Sequence, residues 1–108
     1  HFNMTEHTLQ LHIIAYFRNE FERHGKGIII PVVNEATYKN NTFVICKGAS
    51  DLIIILPNKT LLCELKVGSN KQSTQQIQFE NTVTNLGHEY KLIRSLNEFQ
   101  LWLHNIIN

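Results

Sequence analysis

Apolar side chains recur at helical spacing from about Thr5 to Arg23, with Ile13, Phe17 and Phe21 inside one narrow arc. The pattern predicts a first helix that His24-Gly25 ends. Gly27-Ile-Ile-Ile-Pro-Val-Val33 reads as a first strand, and Pro31, with no amide hydrogen to give, asks for a sheet edge or a bulge. Asn34 to Thr42 is polar and reads as a loop, followed by a short strand over Phe43 to Lys47. Two apolar runs then flank Pro57-Asn-Lys-Thr60, which predicts a β-hairpin. Ile53-Ile-Ile is apolar on both faces, as in a strand covered on both sides.

Ser73 to Leu86 reads as a second helix, stopped by Gly87 where a left-handed cap is common. Tyr90 to Arg94 is a further strand. Ser95-Leu-Asn-Glu98 has the spacing of a capping box and opens a last helix, with Leu96, Phe99, Leu103 and Ile106 on one stripe. The order α-βββ-α-β-α predicts an α/β layered domain with a mixed sheet, and 108 residues suit one domain over positions 1–108. Met4 has the look of a natural start, so His1-Phe2-Asn3 is expected to be a vector-derived remnant.

The hairpin is where chemistry enters. Pairing Leu56 with Leu61 sets Ile53 across from Glu64 and Asp51 across from Lys66. Cross-strand partners share a face, so two carboxylates and an ammonium converge. Such a set can hold a hard divalent cation beside a group that positions water, which is phosphodiester hydrolysis in outline. The competing reading is a charge ladder on an exposed sheet, worth about 1 kcal/mol at most. Leu-Leu-Cys-Glu64-Leu-Lys66-Val speaks against it, because charges among apolar neighbours are costly to desolvate unless paired or bound to metal.

Two further residues have double readings. Glu6 stands at the head of the inward stripe of the first helix, where it faces a cleft or serves as the acid of an Asn3-x-x-Glu6 cap. Gln76 fits the capping box Ser73-Thr-Gln-Gln76, yet it also lines up with Phe79 and Val83 and so faces inward. Glu35 is a weaker candidate acid at the end of the first strand. Cys46 and Cys63 are too few for a zinc motif and read as reduced core thiols. The histidines show no paired ligand spacing on one face, and none is assigned a role. The net charge is +1, which excludes a global polycation, so any contact with nucleic acid relies on local clusters. No apolar run reaches the roughly 18–20 residues of a membrane span.

Gly48-x-x-Asp51, the apolar strand, Glu64-Leu-Lys66, Ser73-x-x-Gln76-x-x-Phe79 and Gly87-His-Glu-Tyr90 together resemble the VRR-NUC (virus-type replication-repair nuclease) domain. This is a branch of the PD-(D/E)xK nuclease superfamily, and the similarity is to its stand-alone phage and bacterial type. It runs from Glu6 to about Leu103, with one departure: Ser50 stands where the family's proline precedes the aspartate.

The resemblance implies a restriction-endonuclease-like fold and a Mg²⁺- or Mn²⁺-dependent endonuclease acting on DNA in the cytoplasm of a bacterial or phage-infected cell. It implies metal binding by Asp51, Glu64, the main-chain carbonyl of Leu65 and Glu6, and catalytic roles for Lys66, which would orient water, and Gln76. Lys26, Lys39, Lys47 and Lys71 are the candidates for DNA phosphate contacts. With no groove-reading motif visible, the substrate expected is branched DNA such as a four-way (Holliday) junction, cut during repair by a homodimer. A nicking or flap nuclease, and a non-catalytic DNA-binding or assembly module, remain as alternatives. Phe99, Trp102, Leu103, Ile106 and Ile107 form the apolar surface from which a dimer interface is expected.

Overall fold

The computed structural model describes residues 4–32 and 48–108. The polar loop, the short strand over Phe43–Lys47, and the residues Glu35, Lys39, Cys46 and Lys47 lie outside the described residues.

Leu9, Ile13 and Phe17 line one side of α1 (Glu6–Glu20), and all three are fully buried. The cap is Thr5, whose side chain accepts from the Thr8 amide at 3.0 Å; this displaces the expected Asn3 cap by two residues and leaves Glu6 in the first turn. After Phe21 the chain tightens into a 3₁₀ turn (Glu22–His24), which Gly25 ends in the left-handed conformation at φ 70°. No described helix is long and apolar enough to cross a membrane.

Among the described residues four strands form one sheet in the order β1 (Ile28–Pro31), β2 (Leu52–Leu56), β3 (Lys59–Leu65) and β4 (Glu89–Ile93). The first three run antiparallel and β4 lies parallel to β3, giving the expected mixed sheet. Among the described residues Pro31 sits on an edge strand, where its missing donor costs no ladder bond.

The hairpin register differs from the sequence expectation by two residues. Leu56 pairs with Lys59 and Ile53 with Leu62, because the turn takes only Pro57 and Asn58 rather than four residues. Asn58 adopts φ 62°, a left-handed geometry that asparagine tolerates. A slip of two preserves side-chain parity, so every residue keeps its predicted face.

One face of the sheet carries Leu52, Ile54, Leu56, Leu61, Cys63, Leu65 and Ile93 into the core against α1 and α3 (Leu96–Ile107). Phe99 and Leu103 of α3 are buried in that core, with Trp102 and Ile106 packed partly against it. The C-terminal apolar stripe expected at a subunit interface therefore mostly covers this chain's own sheet. Cys63 is a free thiol, as predicted, and burial pushes its pKa upward, with Asp51 and Glu64 adding to the shift.

The opposite face holds Ile53, Leu62 and Glu64, with α2 (Thr74–Asn85) over its β4 side. At the β1–β2 side this face is open: Ile28 is 50% exposed, Ile30 40% and Ile55 41%. Among the described residues nothing supplies there the double cover read from Ile53-Ile-Ile. A triple-Ile run fits a two-sided strand, but here it supplies one buried residue between two on the open side.

Candidate active site

Asp51 stands where three elements meet. The β2–β3 ladder ends at Leu52, and Asp51 gives its own amide to the Cys63 carbonyl at 3.0 Å. Its carbonyl accepts from the Val32 amide at 2.9 Å and from Gln10 Nε2 of α1 at 3.5 Å. Its carboxylate Oδ2 accepts from the Leu65 amide at 2.7 Å, so a side chain takes the place of a backbone acceptor beyond the end of the ladder. These bonds fix the carboxylate without the proline that Ser50 replaces; Ser50 itself is 1% exposed.

Glu64 lies on β3 with only 1% of its surface exposed. Its Oε2 accepts from Gln76 Nε2 at 2.8 Å, and its Oε1 has no hydrogen-bond partner among the described residues. Burial first, then the Asp51 carboxyl beside it, push the Glu64 pKa up to about 9 against the opposing charge of Lys66. A buried carboxyl placed against a second carboxyl is costly to ionise unless a cation joins them.

Gln76 resolves its two sequence readings by performing both. Its Oε1 accepts from the Ser73 amide at 2.8 Å while the Ser73 hydroxyl accepts from the Gln76 amide at 3.2 Å, which closes the capping box. With Oε1 committed to the cap, Nε2 is the end that turns to Glu64. The helix cap is thus the device that orients the amide.

A cleft of ≈ 360 Å³ joins these residues, bordered by Glu6, Gly48, Asp51, Glu64, Ser73 and Gln76. A smaller cavity of ≈ 190 Å³ continues past Asp51 and Leu65 to His7 and Gln10. Lys66 follows Glu64 by two residues, is half-buried, and is anchored by its amide to the Ile93 carbonyl at 3.1 Å.

The fold recurs in two solved structures. One, described as a VRR_NUC domain protein, superposes with a TM-score of 0.74 at 15% identity, over 99% of this chain and 91% of that one. Another, described as a VRR_NUC domain, gives 0.61 at 20% identity, over 86% and 91%. The chain has the VRR-NUC fold. No family model matches the sequence, and no curated protein does either.

On the VRR-NUC scaffold, the hairpin and the first turn of α2 bring Asp51, Glu64 and Gln76 together as the sequence predicts, with Lys66 on the same face. Glu6 is more distant. Among the described residues no three His, Cys, Asp or Glu side chains cluster tightly enough to hold a metal ion, and Glu6 Oε2 lies 3.5 Å from Asn70 Nδ2 instead. Glu6 borders the cleft, and its charge helps raise the Glu64 pKa. Asp51 and Glu64 are the two carboxylates that meet at the cleft, and Glu64 Oε1 is the buried oxygen left without a hydrogen-bond partner among the described residues.

Lys71 is exposed in the loop between Glu64 and α2, beside the cleft. Lys26 is exposed too, but it borders a separate cavity with Pro57 and Lys59, at the opposite end of β2 from Asp51. About five residues of extended strand, some 17 Å, separate the two ends.

Two residues near the site were given no role from sequence. Gln10 braces the Asp51 backbone, and its place on the Glu6 arc was the available signal. Tyr90 takes a 3.2 Å hydrogen bond from Gln72 Nε2, which also reaches Glu80 Oε1 at 3.0 Å. Burial first, then the Glu64 charge, hold the Tyr90 hydroxyl well above its ordinary pKa, keeping it protonated.

Proposed function

We propose that this chain is a metal-dependent endodeoxyribonuclease. The observation that carries the reading is the pairing of Asp51 with a buried Glu64 that has one oxygen satisfied by Gln76 and the other unmet. Mg²⁺ or Mn²⁺ at Asp51, Glu64 and the Leu65 carbonyl would supply Lewis acidity toward a phosphate oxygen and toward the attacking water. Lys66, on the same face as Glu64, would orient that water and offset charge developing on the phosphate. Gln76 holds the Glu64 carboxylate in one rotamer, and Lys71 offers a phosphate contact at the rim.

The preferred substrate in this reading is branched DNA, a four-way junction above all, cut by a homodimer. Support for it is chemical: the described surface carries no groove-reading helix, and a single active site makes one cut. A nicking or flap nuclease is the reading to set against it. Incubation of the protein with labelled linear, flap and four-way DNA, with Mg²⁺ or with EDTA, tests both. Paired symmetric cuts in the junction alone are expected. Cleavage of flaps or linear duplex at equal rate favours the simpler nuclease, and no cleavage of any substrate leaves a non-catalytic DNA-binding module.

A further inference from the structure

Gly48 touches the helix that carries Gln76 more closely than any side chain would permit. It has φ +79°, and a Cβ built on it would lie 2.3 Å from the Gln75 carbonyl oxygen, 2.4 Å from the Gln75 carbonyl carbon and 2.7 Å from the Gln76 amide nitrogen. All three atoms are backbone, so no rotamer change relieves the overlap. Only a backbone shift, of α2 or of the Gly48 segment against it, would.

We propose that Gly48 is a positioning residue for the active site: the bare backbone at Gly48 seats the first turn of α2 so that Gln76 reaches Glu64. The chain from Gly48 leads in three residues to Asp51, which is pinned by Cys63, Val32 and Leu65. The same short segment therefore locates one carboxylate directly and the other through α2 and Gln76. The helix is susceptible to displacement, since Val83 is its only buried residue and little apolar packing would resist a shift of its first turn. The inference rests on the nuclease reading for its effect on turnover, and on geometry alone for its effect on Gln76.

Gly87 provides the internal control. It also has a positive φ, +93°, but a Cβ there meets nothing within 4 Å. Gly48→Ala and Gly87→Ala share the backbone penalty of a left-handed residue, and only the first adds the clash. With Mg²⁺ and junction DNA, Gly48→Ala is expected to lose about 100-fold in kcat with KM little changed, as a displacement near 1 Å costs in an active site. Gly87→Ala should keep wild-type kcat. In a Gln76→Ala background, Gly48→Ala should cost little more, because the residue it positions is gone.

A second readout needs no catalysis. In ¹H–¹⁵N spectra of the metal-free protein, the Gln76 side-chain amide should move toward the position of a solvated glutamine in Gly48→Ala and stay in place in Gly87→Ala. If Gly48→Ala proves too unstable to fold, Ser73→Ala opens the same turn from the other side and should shift the same amide. An unmoved Gln76 amide overturns the inference, as do equal losses in Gly48→Ala and Gly87→Ala, or full additivity with Gln76→Ala. A shifted amide in a protein that cuts no DNA upholds the geometry and sinks the nuclease reading instead.

Discussion

Gln76 and Glu64 are joined by one 2.8 Å hydrogen bond whose donor belongs to the same amide that closes the cap of α2. Helix stability and carboxylate orientation are consequently coupled in one side chain, and a suitable substitution separates them. Gln76→Glu keeps an acceptor for the Ser73 amide but removes the donor to Glu64. It should melt close to wild type yet lose about 10²-fold or more in cleavage. Gln76→Ala loses cap and donor together and should also cost about 1 kcal/mol of stability. Thermal melts read beside single-turnover cleavage check both, and an active Gln76→Glu enzyme contradicts the role.

Lys66 makes no ion pair among the described residues, where Arg18–Glu22 at 3.5 Å is the one present. Its amide, which any residue would supply, donates to Ile93 of β4. Lys66→Ala should therefore leave the melting curve and DNA retention in a gel shift nearly unchanged. Cleavage should fall by at least about 10²-fold. Near-wild-type turnover would remove Lys66 from the mechanism.

The two carboxylates make the site expensive when no cation is bound, and pH should reveal it. The Glu64 carboxyl has its pKa pushed from 4.5 to about 9 in the fold. Between those values the folded chain keeps a proton that the unfolded chain has released, so stability falls as pH rises across the window. In EDTA the wild type should lose melting temperature steadily from about pH 5 to about pH 9, whereas Glu64→Gln should hold level and melt higher at the alkaline end. A wild-type curve as flat as that of the variant contradicts the burial cost.

Metal binding should reverse that advantage. Asp51→Asn and Glu64→Gln each remove a negative oxygen ligand, and each should weaken Mn²⁺ binding by at least about tenfold in calorimetric titration. Glu6→Gln should weaken it less, in keeping with a place at the rim of the cleft. Unchanged affinity in the first two variants removes the metal centre from this position.

Much of this arrangement was legible because strand parity is robust. The pairing of Leu56 with Leu61 was wrong by two residues, yet Asp51, Glu64 and Lys66 kept their common face, since only an odd slip would have separated them. Ser73 and Ser95 announced their helices, and both cap as expected. At α3 the reach-back differs, with Glu98 Oε1 accepting from the Arg94 amide instead of the Ser95 amide. The two-residue turn escaped notice because Pro57-Asn-Lys-Thr60 offers four plausible turn formers, and only the left-handed Asn58 decides where the strands resume. Gly48 stood in the motif without a reason, because a close approach of backbone to backbone leaves no trace in periodicity.

The last expectation concerns assembly, and the buried part of the C-terminal stripe is not free to serve it. Phe99 and Leu103 are 0% and 1% exposed within one chain, so they cannot also meet a second copy. The open aliphatic surface lies instead on β1 and β2, where Ile28 pairs with Ile55 and Ile30 with Ile53 on one face. Three of these four are at least 40% exposed, an unusual grouping for a sheet surface left to water. Two-fold pairing through that face would hold two clefts in fixed relation, as symmetric cuts across a junction require. Ile55→Lys should then convert a dimer to a monomer that still folds, and should uncouple the two cuts while sparing the first. Trp102→Ala, by contrast, should lower the melting temperature through lost packing on Phe99 and leave the mass unchanged. Light scattering at micromolar concentration reads the mass against the 12.6 kDa of one chain. A wild-type monomer that still makes paired cuts would exclude both the interface and the two-site mechanism.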